Sequence, residues 1–326
     1  MNIEVSYRKS FFRQLVAIAV AVCFTPSVAL AVDITNANSP YSTTADNTDQ
    51  HILKTHNNIS LTNDFVINYN NNSAVRANSI TGVTITNNGT ITNRDVSGKN
   101  YAIQAQSGSV TITNSGTIEA AQNYAIDIIR SVGSVITNNA GGIIKARRMT
   151  INGTDAATSN TTITNSGSIY LTEKEEVIQF SNATGTTITN NAGGEIYRDI
   201  GAIGSHPTIQ IGPSSSITNS GQIRDDSSID WALSLEGNNT TVTNNSGGLF
   251  GGEIRITSSA TNATLINSGT IAAQSPSDRA IFVKGDNATV TLKDKGIVVG
   301  TIEATGTGTK LQLQQGFGRA YFYETS

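Results

Sequence analysis

One short motif recurs along the chain at a nearly constant interval, and this limits the fold more than any other feature. Clear copies are Thr84-Ile85-Thr86-Asn87-Asn88-Gly89-Thr90-Ile91, Thr111-Ile112-Thr113-Asn114-Ser115-Gly116-Thr117-Ile118 and Thr162-Ile163-Thr164-Asn165-Ser166-Gly167-Ser168-Ile169. Related copies contain Val135-Ile136-Thr137-Asn138, Thr187-Ile188-Thr189-Asn190, Ile217-Thr218-Asn219, Val242-Thr243-Asn244 and Leu265-Ile266-Asn267. Degenerate copies lie at Leu61-Thr62-Asn63 and Leu292-Lys293-Asp294. The turn residue therefore falls at 63, 87, 114, 138, 165, 190, 219, 244, 267 and 294, with spacings from 23 to 29. Self-similarity at such a period marks a solenoid, in which each unit buries its apolar face only against its neighbours.

The alternation inside each copy identifies the element. An aliphatic residue sits between two threonines, a period of two that belongs to strands. Ile, Val and Thr have branched side chains that suit a pleated sheet. The residue two before the turn Asn is Leu61, Ile85, Ile112, Ile136, Ile163, Ile188, Ile217, Val242 or Leu265, and Leu292 holds that place in the last copy. This predicts one inward column. A second is expected after the turn, at Ile91, Ile118, Ile143, Ile169, Ile196, Ile223, Leu249 and Ile271. Between the columns lies Asn-Ser-Gly or a longer Asn-Asn-Ala-Gly-Gly type, and the two alternate from Asn114 to Asn267. Gly and Asn supply the positive φ of a sharp corner.

A third strand fits before each motif, as at Tyr101-Ala102-Ile103, Tyr124-Ala125-Ile126, Val177–Phe180, Thr208–Ile211, Trp231–Leu235, Ile254–Ile256 and Ala280–Val283. The fold expected is all-β: a right-handed parallel β-helix of about ten coils with three strands per coil. At ~4.8 Å per coil this gives a rod of roughly 48 Å. The turn asparagines are expected to stack into a ladder with amides bonded from coil to coil.

Composition removes several classes of function. The chain has 326 residues and a net charge of −3, with only 14% charged residues but 43 Thr, 34 Asn and 30 Gly. A nucleic-acid binder needs clustered Lys and Arg to neutralise phosphates, so no nucleic-acid partner is expected. A single cysteine excludes a disulfide framework.

The first residues read as an address. Arg8, Lys9 and Arg13 precede the apolar run Leu15–Phe24, and Ala29-Leu30-Ala31 follows Pro26 and Ser27. A positive segment, a short apolar run and a small-x-small site make a secretory signal peptide over residues 1–31. The run is too short to span a bilayer, which needs ~20 residues. Cys23 leaves with this segment, so the exported chain has no thiol. Residues 32–60 are expected to cap the first coil, 61–313 to form the helix, and 314–326 to be its truncated end.

Stacked Thr-Ile-Thr-Asn-Ser-Gly-Thr-Ile units behind such a signal resemble the passenger of an autotransporter, the type V secretion family of Gram-negative bacteria. Gly300–Gly308, Leu311-Gln312-Leu313 and Tyr321–Ser326 resemble the last passenger coils of adhesin-type members. The resemblance covers residues 32 to 326. It implies export through the inner membrane, a periplasmic transit, and display at the outer membrane or release. It also implies a β-barrel translocator as partner. A 12-strand barrel needs on the order of 200 further residues, and the sequence stops at Ser326, so three expectations stand: a fragment, a truncated reading frame that leaves a non-functional product, or a passenger served by a barrel in trans. Surface glycans, proteins or a second copy of the chain are the expected targets of such an adhesin.

Few residues offer chemistry. His51, His56 and His206 read as solvent-exposed loop histidines, too few and too scattered for a metal site. Ser107-Gly108-Ser109 repeats the turn chemistry of its neighbours, and no base stands near in sequence to activate a serine. Asp225-Asp226 and Glu173-Lys174-Glu175-Glu176 are the candidates for the carboxylate pair of a polysaccharide hydrolase. Both read better as solvated loops. They interrupt the uncharged pattern where coils lengthen, as do Arg147-Arg148 and Tyr197-Arg198-Asp199, and such loops on a rigid scaffold are where recognition residues collect. No catalytic residue, cofactor or metal ligand is assigned. The pairs Thr84/Thr86, Thr111/Thr113, Thr162/Thr164, Thr187/Thr189, Thr241/Thr243 and Thr289/Thr291 are expected to project from one sheet, interrupted by Val135, Ser216 and Ile266. A flat Thr array is also how some β-solenoids bind ice, but the interruptions and the uneven coil length favour the plainer reading of an exposed, β-prone surface.

Overall fold

The inward columns are the backbone of the architecture. The computed structural model describes residues 31–314, apart from 36–38, 47–48, 54–56, 71, 95–99, 200, 203–204, 228–230 and 294. The segment read as a signal peptide lies outside the described residues up to residue 30, and so does the end from 315. Every described strand pairs in parallel, and none of the described residues is helical. Three sheets result. Sheet A has twelve strands from Ala31–Ile34 to Thr301–Ala304, sheet B twelve from Tyr41–Ser42 to Lys310–Gln314, and sheet C ten from Val66–Tyr69 to Ile297–Val299. From Gln50 onward the chain visits A, B and C in turn, so each coil is three short strands stacked on the coil before. This is the expected parallel β-solenoid of about ten turns. Strands at 31–34, 41–42 and 50–53 join the same sheets.

Alternation within each strand produces the core. In sheet B the pattern is half-exposed, buried, half-exposed, buried at 135–138, 162–165, 187–190, 216–219 and 241–244. The aliphatic residue and the Asn point inward, and the threonines outward. Sheet A gives a second column through Val75, Ile103, Ile126, Ile151, Ile178, Ile209, Leu233, Ile254 and Ile281, all fully buried. Each such side chain contributes about 1.5–3 kcal/mol by leaving water. The interior is filled with stacked aliphatics, so function has to be sought on the outside.

Nine asparagines form the expected ladder. The Nδ2 of each donates to the Oδ1 of the next at 2.7–3.0 Å, from Asn63 through Asn87, Asn114, Asn138, Asn165, Asn190, Asn219 and Asn244 to Asn267. All nine are fully buried. Each of these amides also donates to backbone carbonyls, which satisfies groups that would be costly to bury unpaired. Thr43 Oγ1 donates to Asn63 Oδ1 at 3.0 Å and closes the first end.

The register corrects three assignments. Ile118 pairs with Ile144 and not Ile143, and Ile223 pairs with Phe250 and not Leu249. The cause is the longer turn, which places five residues rather than three between Asn and the inward position. The expected last copy is displaced by two: Leu265 pairs with Val290, and Asn267 with Leu292. Leu292 thus ends the Asn ladder with a buried aliphatic, and Asp294 lies outside the described residues.

The alternation of turns also has a physical basis. In the long turns Gly141, Gly193 and Gly247 have φ of +80°, +83° and +88°, with open space around them. The extra residues stand away from the rod. The second Asn of each long turn donates to the Ser of the short turn before it: Asn139 to Ser115, Asn191 to Ser166 and Asn245 to Ser220, each at 2.9 Å. A long turn therefore docks on a short one, and the repeat spans two coils.

Candidate functional site

The outer surface is divided by chemistry. On sheet B the two outward columns run Ser60, Thr84, Thr111, Val135, Thr162, Thr187, Ser216, Thr241, Thr264, Thr289 and Thr62, Thr86, Thr113, Thr137, Thr164, Thr189, Thr218, Thr243, Ile266, Thr291. No charged residue occurs among them before Lys310, which follows Thr289 in the last strand. The register is unbroken, because differences in coil length are absorbed in the loops and turns.

Sheet C is different. Its central outward column, in register, is Asn68, Thr92, Glu119, Lys145, Tyr170, Tyr197, Arg224 and Gly251. Tyr170 and Tyr197 stack with centroids 4.9 Å apart and planes 6° from parallel, and the Arg224 guanidinium lies 4.4 Å over Tyr197. Lys145 pairs with Glu119 at 3.2 Å. Stacking fixes the ring of Tyr170 before any ligand arrives.

Beyond this column the chain turns from sheet C to sheet A, and a groove opens. One cavity of about 200 Å³ is lined by Glu119, Ala120, Ala121, Lys145, Ala146, Arg147, Tyr170 and Thr172. A second, of about 340 Å³, is lined by Gln122, Arg147, Arg148, Glu173, Lys174 and Glu175. Arg147 belongs to both. It pairs with Glu173 at 2.5 Å and donates to Gln122, while Arg148 pairs with Glu175 at 2.5 Å. Ala120 and Ala146 line it at the register position where the next coils carry Leu171, Arg198 and Asp225. Its walls are tied by backbone bonds from Glu173 and Lys174 to the Arg147 carbonyl, at 3.1 and 3.0 Å.

The loop candidates fall apart into exposed and buried members. Arg147-Arg148 and Glu173–Glu175 meet across coils as this groove. Glu176 is buried and accepts from His206 at 3.0 Å, contrary to its reading as solvated. Burial pushes its carboxyl up, against the pull of His206. Asp225 is likewise sealed: Arg198 Nη1 lies 3.2 Å from its Oδ2, and both side chains have no exposure. Two backbone N–H groups, from Ser227 and Trp231, complete its shell. It cannot touch a polymer. Asp226 is exposed and held by Arg224 at 2.8 Å. Ser107 and Ser109 belong to a turn, with Ser107 at positive φ and Ser109 accepting from the Gly82 amide.

The histidines separate too. His206 is a partly exposed loop residue, and His56 lies outside the described residues. His51 is not in a loop. It occupies the inward column of sheet A, pairing with Val75, and is fully buried. Period-two reading of Gln50–Leu53 could have located it. Among the described residues no three His, Cys, Asp or Glu side chains converge.

One buried carboxylate was not visible in the sequence. Asp127 accepts from Gln106 and from Asn152 Nδ2 at 2.8 Å, and burial pushes it up to about 6. Tyr124 nearby is pushed up to about 12, chiefly by burial. Both of these amide partners are neutral, so no cation offsets the cost of the Asp127 charge. The groove residues Glu119, Lys145 and Tyr170 were also missed. Aligning copies on the second inward column would have shown their position switching from Thr92 to charged and aromatic residues.

Comparison with protein-family models, curated proteins and solved structures gives no match.

Proposed function

We propose that this chain is an exported surface rod of the autotransporter-passenger type, acting in adhesion or aggregation and not in catalysis. The observation that carries this reading is the division of the surface. An uncharged hydroxyl face runs along one sheet, while fixed charged and aromatic groups gather on the other two, where Tyr170 stacks on Tyr197 and Arg255 lies over Trp231. Such a body holds recognition groups in place on a rigid scaffold. The signal-like pattern of residues 1–31 and the repeat support export. A barrel translocator acts as the partner for passage across the outer membrane.

The test is to display residues 32–326 on Gram-negative cells through a supplied barrel. Sedimentation of the cells and their retention on protein- and glycan-coated surfaces are then scored. Clumping or retention above barrel-only cells is expected. Protein confirmed on the surface with neither behaviour would overturn the reading.

A further inference from the structure

The groove between sheets C and A has a chemical character more specific than a generic adhesive loop. We propose that it binds a segment of neutral polysaccharide, with Tyr170 as the stacking platform. This rests on the adhesin reading and names its ligand class.

Three observations combine. First, Tyr197 covers one face of Tyr170, and the coil on the other side carries Lys145, which is drawn to Glu119. Tyr170 also lines the cavity, and among the described residues no ring or cation is stacked on its second face. A pyranose presents an apolar C–H face to such a ring. Second, Ala120, Ala121 and Ala146 line the cavity with small apolar groups. Third, the rim alternates donor and acceptor: Arg147 with Glu173, Arg148 with Glu175, Lys145 with Glu119. Vicinal hydroxyls both donate and accept, so they suit a rim where partly exposed guanidinium and carboxylate groups lie side by side. An anionic polymer fits less well, because three of the four cations already face a carboxylate. Only Lys174 has no carboxylate partner among the described residues. The two cavities share Arg147, so together they offer room for a chain rather than a single sugar.

The test is retardation of the purified chain in native gels cast with dextran, mannan or galactan, with polygalacturonate and heparin as anionic comparisons. Retardation by at least one neutral polymer is expected. Tyr170→Ala weakens it about tenfold, Tyr170→Phe keeps it, and Arg147→Ala weakens it with an unchanged far-ultraviolet spectrum. No retardation by any neutral polymer, retardation by the anionic polymers alone, or full retardation of Tyr170→Ala would overturn the proposal. The displayed rod separates the two readings. Adhesion of cells that survives Tyr170→Ala removes the groove and leaves the adhesin. Gel binding without cell adhesion does the reverse.

Discussion

Arg198 and Asp225 face each other across adjacent coils with both side chains closed to solvent, Nη1 to Oδ2 at 3.2 Å. They occupy the last paired position of their sheet C strands, where earlier coils place Ala146 and Leu171. An ion pair has therefore replaced apolar residues at one level of the stack. Arg198 also donates to the His206 carbonyl at 2.5 Å, which ties down the loop after it.

A buried pair is costly to break and less costly to replace. Asp225→Asn leaves the guanidinium without its counter-charge and is expected to cost about 3–5 kcal/mol. The double change Arg198→Met with Asp225→Leu restores the apolar character of the column and is expected to recover part of that loss, the remainder reflecting the Ser227 and Trp231 amides that lose their acceptor. Urea unfolding of the two variants checks this. Equal midpoints for Asp225→Asn and the unaltered chain would mean that the pair is solvated.

The Asn ladder makes a sharper contrast. Asn165 accepts from Asn138 at 2.9 Å and donates to Asn190 at 2.9 Å, to the Gly167 carbonyl and to the Glu195 carbonyl. Asn165→Ala strands buried partners on both neighbouring coils and is expected to cost about 1–3 kcal/mol. Thr164→Ala, one residue earlier on the outer face, is expected to stay within about 0.5 kcal/mol. The measurement is the shift in urea midpoint for each variant, and equal shifts would contradict a continuous ladder.

This contrast also shows how far the sequence could be read. Local patterns carried the strands, the inward column of sheet B as far as Leu265 and the Asn stack as far as Asn267, because Ile-Thr-Asn repeats almost unchanged up to there. The second inward column failed at Ile143 and Leu249, where the longer turn moves the buried place to Ile144 and Phe250. The groove was legible only in part. Arg147-Arg148 and Glu173–Glu175 stood out as charged runs, but their partners Gln122 and Tyr170 come from neighbouring coils and are outwardly unremarkable. Asp225 looked solvated because its partner Arg198 lies 27 residues away, one coil earlier.

Two buried ionisable groups give opposite pH slopes. Burial lowers the His51 pKa from 6.5, partly opposed by Asp49. Below pH 6.5 the unfolded chain takes the proton first, so this contribution is full above 6.5 and declines as pH falls toward the folded pKa. Asp127 is raised from 3.8 to about 6. Between those values the folded state keeps a proton that the unfolded state has lost. Its contribution is present below 3.8 and is lost as pH rises through about 6. His51→Leu is expected to flatten the acid decline. Asp127→Asn is expected to raise stability at pH 7.5 by up to about 3 kcal/mol. Urea midpoints from pH 4.5 to 8 test both slopes, and a parallel shift at all pH values would assign neither residue a titrating role.

The uncharged face of sheet B leads to a prediction about aggregation. Its Thr columns run in unbroken register from Thr84 to Thr264, so two rods can lie face to face with hydroxyls meeting along their length. Each contact is weak, and the absence of charge is what permits the approach. Thr137→Lys with Thr189→Lys places two cations on this face without touching the core, since both side chains point outward. Stability is expected to change by less than about 0.5 kcal/mol, while clumping of cells displaying the rod falls severalfold at low salt. Raising ionic strength shortens the reach of the added charges, so clumping is expected to return in part. Adhesion to glycan surfaces through the groove stays intact, because the groove lies between sheets C and A. Clumping unaffected by the two lysines would place the self-association surface elsewhere on the rod.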